Sequence, residues 1–216
     1  VHRLDVNVGR IMETLKKEGL ADHTLVVFLS DNGGPCDQNA ALNAPLKGQK
    51  GILLEGGIRV PFIMNWPGTL PANIVYEKQI ISLDLAPTFI RLAGGEITEV
   101  DKYDGVDLFP YLLNDISSAP HSELKWRFTI SKAILQGEWK LVSIPDRLPL
   151  LYHLPSDISE QHNLALENIE KTTELLKKLG DWDVGLPYPL FLEGARWKKV
   201  QLDLYDKEYQ LKQPDQ

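Results

Sequence analysis

Cysteine is nearly absent. Cys36 stands alone in 216 residues, so the chain cannot close a disulfide on itself, and no redox compartment can be read from it. Basic residues are outnumbered, 23 Lys and Arg against 30 Asp and Glu, for a formal net charge of −7. A protein that grips phosphate backbones needs a basic face, so nucleic acid is not an expected partner. Anionic small molecules stay open, because a local cluster of lysine and metal can oppose the global charge. No apolar run reaches the roughly 20 residues of a membrane-spanning helix, so no transmembrane segment is expected. Internal repeats and low-complexity tracts are missing too. His121, His153 and His162 are too scattered for a zinc site, and His2 and His23 read as surface or structural residues. No signal peptide is in view. The chain opens on Val1 and enters a helical pattern almost at once, as expected of a start inside a domain with any targeting segment upstream.

What is present is ordinary for a globular core: 43% hydrophobic and 25% charged residues, enough for one or two domains. The most informative stretch is Leu25-Val26-Val27-Phe28-Leu29-Ser30-Asp31-Asn32-Gly33-Gly34. Its apolar half reads as a strand buried on both faces, as in a parallel sheet. Its polar half would lie beyond the strand's carboxyl end, where open α/β sheets bind ligands. Asp31 and Asn32 offer a carboxylate and an amide oxygen, hard donors suited to Ca²⁺ or Mg²⁺. Taken alone, Asp-Asn-Gly-Gly reads more readily as a turn.

Before it, Leu4, Val8, Ile11, Met12 and Leu15 form one helical face, stopped at Gly19. After it, residues 35–50 read as a loop of the kind that carries function. Glu55 and Arg59 are spaced for a helical pair, but Gly56-Gly57 argues against helix, so a structural ion pair holding the loop is expected. Residues 60–65 read as a short strand closed by Trp66-Pro67-Gly68. A helix follows, with Ser82 as N-cap, Pro87 in its early turns and Gly94 as C-cap. Asp84 is assigned a structural role near the positive helix end, and Asp104 and Asp107 a turn rather than a calcium loop. Beyond Pro120, strands are expected over 128–135, 139–143 and 150–154, with Gln136-Gly137-Glu138 as a hairpin turn. Asp157 and Glu160 read as turn and cap residues, and a helix over 164–179 is stopped by Gly180. Pro187, Pro189, Phe191 and Trp197 then lead into a polar tail.

Several of these pieces, in this order, resemble one family. Ser30-Asp31-Asn32-Gly33-Gly34 is followed by Ala44-Pro45-Leu46-Lys47-Gly48-Gln49-Lys50-Gly51, Glu55-Gly56-Gly57-Ile58-Arg59-Val60-Pro61-Phe62 and Trp66-Pro67-Gly68. The set closely resembles the later half of the type I sulfatases, the formylglycine-dependent members of the alkaline phosphatase superfamily. Asp84 with Pro87-Thr88, Asp104-Gly105-Val106-Asp107 and Gly137-Glu138-Trp139-Lys140-Leu141 extend the resemblance to at least Trp182.

The resemblance implies an α/β fold: the later part of a mixed, mostly parallel sheet flanked by helices, then a small subdomain with an antiparallel sheet and a helix. The implied division is 1–120 for the catalytic-domain part, 121–190 for the subdomain and 191–216 for the tail. It implies metal-dependent hydrolysis of sulfate esters, with Asp31 and Asn32 as metal ligands for Ca²⁺ (Mg²⁺ possible) and Lys50 as a catalytic, sulfate-contacting residue. Lys47 is read as loop packing or a secondary charge. The family's nucleophile arises from Cys or Ser in a Cys/Ser-x-Pro-x-Arg signature. Cys36 lacks that proline and arginine, so no residue of this chain is the nucleophile. Formylglycine is expected upstream, in a missing N-terminal half of the catalytic domain, and this chain alone is expected to be inactive. Two adjacent ligands leave most of a shell of about six to eight oxygens to water, so weak Ca²⁺ binding is expected. Periplasmic or secreted location is a family-level expectation. Alternatives are a phosphonate or phosphate ester hydrolase of the same superfamily, or a catalytically inactive truncated domain.

Overall fold

The computed structural model describes residues 1–98, 102–187 and 194–208. Pro189, Phe191 and residues 209–216 lie outside the described residues. In chain order the elements are α1 (His2–Lys17), β1 (Val26–Leu29), α2 (Cys36–Asn39), α3 (Glu55–Ile58), β2 (Phe62–Asn65), α4 (Leu85–Leu92) and α5 (Phe109–Leu112). Then come β3 (Glu123–Phe128), β4 (Ser131–Gln136), β5 (Trp139–Ser143), β6 (Leu150–His153), α6 (Ile169–Val184) and α7 (Ala195–Asp203). Among the described residues no helix is long and apolar enough to cross a membrane. The chain divides into two compact units, Val1–Leu29 with Pro61–His121, and Ser30–Val60 with the described residues from Ser122 onward. The segment Ser30–Val60 therefore groups with the later residues and not with the helix and strand that precede it.

In the first unit, α1 forms over the expected apolar stripe, yet none of its residues is buried. Its end is a two-bond closure: Gly19, at φ +67°, donates to the Lys16 carbonyl and Leu20 to that of Leu15. The left-handed conformation carries little cost there because glycine lacks a Cβ. β1 pairs with β2, from Val26 opposite Asn65 to Leu29 opposite Phe62. This pair is antiparallel, and so is the second sheet. The expected mostly parallel sheet is thus corrected: the sheet among the described residues is antiparallel. An apolar, β-branched run signals burial of a strand but not the direction of its partner. Here β1 is only half-buried along its length, and Ile63 of β2 is exposed.

Asp84, fully buried, organises the rest of this unit. Its Oδ2 accepts the Ile81 N–H (2.9 Å); its Oδ1 accepts the Val106 N–H (2.9 Å) and lies 2.8 Å from His121 Nε2. The expected N-cap, Ser82, is corrected: residues Ser82–Asp84 form a 3-10 turn, and the Asp84 carboxylate satisfies the entering backbone. Thr88 continues the network, donating to the Asp84 carbonyl (2.6 Å) and accepting the Leu108 N–H (2.9 Å). Asp107 caps α5 by accepting the Phe109 N–H (3.0 Å).

The second unit holds the antiparallel meander β3-β4-β5-β6. Ile134, Leu141 and Leu151 from three successive strands pack on Leu175 and Leu179 of α6, with Ala165. Three sequence expectations shift. The strand expected over 128–135 is broken at Thr129, at φ +47°, so a hairpin of β3 and β4 replaces one strand. Gly180 does not stop α6, which runs on to Val184 because Trp182 packs against the core. The described part of the expected tail is helical: α7 continues into a π turn, Leu204–Glu208, and buries Gln201 and Tyr205.

A buried ion triad lies at the heart of this unit. Lys140, fully buried on β5, places Nζ 2.8 Å from Glu55 Oε1 and 2.8 Å from Glu160 Oε1. Glu160 Oε2 accepts the backbone N–H of Glu55 at 2.6 Å. Burial raises the Glu160 carboxyl above its ordinary pKa, against the pull of Lys140 and the Glu55 N–H. The expected pair of Glu55 with Arg59 also forms, at 3.5 Å, but Arg59 is largely exposed. Two sequence expectations yield to this triad. Glu160 is more than a turn residue, and Glu55–Ile58 is one helical turn despite Gly56-Gly57, because Glu55 is held at its first position. Replacing Lys140 by Met leaves two buried carboxylates without their cation. We expect a loss of about 3–5 kcal/mol in urea unfolding, recovered in part when Glu55→Gln and Glu160→Gln are added.

Candidate functional site

The polar end of β1 and the loop carrying Lys50 are brought together by glycine backbones. Gly33 donates its N–H to the Gly57 carbonyl at 3.0 Å. A Cβ on Gly33 would lie 1.7 Å from the Gly56 oxygen, and one on Gly57 would lie 2.0 Å from the Ile52 oxygen. These contacts leave no room for any side chain, so backbone packs directly on backbone.

Ser30 and Asn32 set the turn that leads into Gly33-Gly34. Ser30 Oγ donates to the Asn32 carbonyl (2.9 Å), and Asn32 Nδ2 donates to the Gly33 carbonyl (2.9 Å). The Asn32 Oδ1 and the carboxylate of exposed Asp31 have no protein partner among the described residues. Two adjacent, uncommitted oxygen donors fit a hard divalent cation in kind. Among the described residues no third acid, His or Cys joins them in a cluster, so they fill two positions of about six to eight.

Lys50 is exposed, and Lys47 is half-buried. They do different jobs. Lys47 Nζ donates to the Glu160 carbonyl at 3.3 Å, and burial lowers its pKa against the opposing pull of Glu160 and Asp157. It packs the loop onto the second unit's core. Lys50 is left to face solvent at the tip of the same loop.

The loop is held from both sides by residues that sequence reasoning passed over. Asn43 bridges the strand end and the loop, accepting the Gly34 N–H and donating to the Gly34 and Gly48 carbonyls. Gln49, buried, accepts the Asp37 N–H at 3.3 Å. On the far side the Tyr205 hydroxyl accepts the Leu53 N–H (2.8 Å), and Gln201 Nε2 donates to the Gly51 carbonyl (2.6 Å). Burial pushes the Tyr205 hydroxyl up to about 12. The spacing of Trp197, Gln201 and Tyr205 at one helical repeat was the available signal for this support. Cys36 is a free thiol beside Asn43 Nδ2 (3.3 Å) and the Gly34 carbonyl (3.5 Å).

With this geometry in place, comparison with known proteins is direct. A family model described as Sulfatase matches residues 1–95. The chain is 40% identical over 127 residues to the uncharacterized sulfatase YdeN of Escherichia coli K12, covering 58% of this chain and 22% of that protein. It is 37% identical over 144 residues to the steryl-sulfatase of Rattus norvegicus, covering 63% of this chain and 24% of that protein. The solved structure of Ps i-CgsB in complex with k-i-k-neocarrahexaose superposes with a TM-score of 0.79 at 30% identity, over 97% of this chain and 48% of that one. Over residues 1–95 the chain matches the sulfatase family model, and beyond them it stays similar to sulfatases. It spans about a quarter of the length of these two curated relatives and about half of that solved chain.

The packing at Gly33 yields a paired expectation. Gly33→Ala forces the strand end off the loop and costs about 1–3 kcal/mol in urea unfolding, as overpacking does. Gly9→Ala, inside α1 with nothing within 4 Å, stabilises by about 0.5–1 kcal/mol.

Proposed function

We propose that this chain is part of a sulfuric ester hydrolase and supplies one side of its active site. The observation that carries this reading is the direct seating of the Asp31-Asn32 strand end on the loop that presents Lys50, through Gly33 and Gly57. Asp31 and Asn32 would hold Ca²⁺, or Mg²⁺, through their free oxygens. The cation, when bound, neutralises charge on a sulfate group and orients it. Lys50 would hold its ammonium against the sulfuryl oxygens, where it stabilises the charge that grows as the ester bond breaks. The low net count of basic groups does not oppose this, because one metal and one lysine set the local field.

The nucleophile is not among these residues. Cys36 has no base beside it; its contacts are the Asn43 amide and the Gly34 carbonyl, and it lies outside a Cys-x-Pro-x-Arg pattern. We infer that formylglycine and the remaining metal ligands come from residues outside this chain. Such a half-site holds a metal loosely and turns nothing over. The purified chain is therefore expected to show no hydrolysis of 4-nitrophenyl sulfate above the buffer blank; turnover by this chain would overturn the assignment of the nucleophile elsewhere.

In the longer gene product the same loop is expected to matter for chemistry. Lys50→Ala should lower kcat for a sulfate ester by about 10²–10³, as removal of one transition-state donor does, while Lys47→Ala acts mainly on stability. Assay of sulfate, phosphate and phosphonate esters side by side checks the reaction class. A preference for phosphonate or phosphate esters would move the protein to the related hydrolases of the superfamily, and an unchanged kcat would return Lys50 to the solvated surface.

A further inference from the structure

Asn43 sits between α2 and the lysine loop, half-buried, and its amide bonds two backbone segments, with Nδ2 also 3.3 Å from Cys36 Sγ. Its Oδ1 accepts the Gly34 N–H at 3.0 Å, and its Nδ2 donates to the Gly34 carbonyl at 2.9 Å and the Gly48 carbonyl at 2.9 Å. With Gly34 it exchanges both an N–H and a C=O, as a neighbouring strand would. A primary amide has two N–H donors and a carbonyl acceptor on one planar group. Aspartate keeps the size and loses both donors, and serine is too short to span the two segments.

Gly34 lies two residues after Asn32, and Gly48 two residues before Lys50. We propose that Asn43 is a positioning residue: it sets the Asp31-Asn32 oxygens and the Lys50 ammonium in one fixed relation. The inference rests on the sulfatase reading of those three residues. It goes further by separating what holds the loop from what aims it. The loop's own fold is held elsewhere, by Lys47 on Glu160, by Tyr205 on Leu53, by Gln201 on Gly51 and by Glu55 on Lys140. None of these touches the strand end. Gly33 to Gly57 ties the strand end to the far end of the loop, nine residues past Gly48. Close to Lys50, Gln49 takes the Asp37 N–H at 3.3 Å, three residues past Gly34, and Asn43 is the side chain that bonds Gly34 itself to Gly48. Its loss should leave the loop folded and let Lys50 drift against the oxygens, and a misplacement of about 1 Å costs roughly 10²-fold in rate.

The test uses the complete gene product carrying Asn43→Asp, with Asn43→Ser as the second variant should the first fail to fold. Two readouts are taken. In amide hydrogen exchange, peptides covering 31–36 and 46–51 are expected to exchange faster, with peptides of β3 to β6 unchanged. In kinetics with a sulfate ester, kcat is expected to fall by about 10²-fold, and Lys50→Ala is expected to cost less in the variant than in the wild type, because the two residues act as a unit. Unchanged exchange in either peptide, or fully additive effects of the two substitutions, overturns the proposal. A wild-type protein that hydrolyses no sulfate ester overturns the function reading instead, and the exchange result then decides the role of Asn43 by itself.

Discussion

Lys140 is fully buried, and the second unit is built to match it. Its ammonium is fully buried between two carboxylates, each 2.8 Å away. Desolvating an ion costs several kcal/mol even after relaxation, so such a group persists only when its partners are close and themselves well bonded. They are. Glu160 accepts the backbone N–H of Glu55, and Glu55 begins a helical turn whose glycines pack on the loop. The triad therefore ties three segments that are 85 and 105 residues apart. The meander sheet, the turn before α6 and the lysine loop cannot move separately without exposing or stranding a charge.

The consequence for the site is mechanical. Lys50 itself makes no bond among the described residues, and its usefulness depends on where its loop is fixed. That loop is pinned beneath by Lys47 and Glu55, on one side by Tyr205 and Gln201, and on the other by Asn43 and Gly33. Beside these side-chain contacts, backbone meets backbone at Gly33, Gly56 and Gly57. Contacts on three sides fix where the exposed Lys50 ammonium is presented. The first unit shows the same economy in Asp84, whose two oxygens satisfy the backbone at residues 81 and 106 and hold His121.

Residues whose meaning is local were legible from the order of letters. The helical repeat of Leu4 to Leu15, the glycine closures at 19 and 94, the hairpin at Gly137 and the strand end at Asp31 all depend on neighbours within a few positions. Gly56-Gly57 read only as an argument against helix, and its seating against Gly33 came from the fold. Glu160 reads as a turn or cap residue from its sequence neighbours, and its φ of +52° is that of a turn. Nothing nearby in sequence marks it as a buried acid, since its partners are Lys140 and the Glu55 backbone. Asn43 looked like one more polar loop residue for the same reason.

By itself, then, the sequence determined most of the elements and the resemblance to sulfatases, because periodicity, turn conformations and ordered motifs are encoded over short spans. Tertiary structure alone decided which strands pair and in which direction, that residues 194–208 are helical support and not a tail, and that Lys47 packs while Lys50 is presented. Those outcomes turn on burial and on hydrogen bonds between segments scores of residues apart. A side chain's type limits what it can bond, but only the fold decides which partner arrives and whether water is left between them.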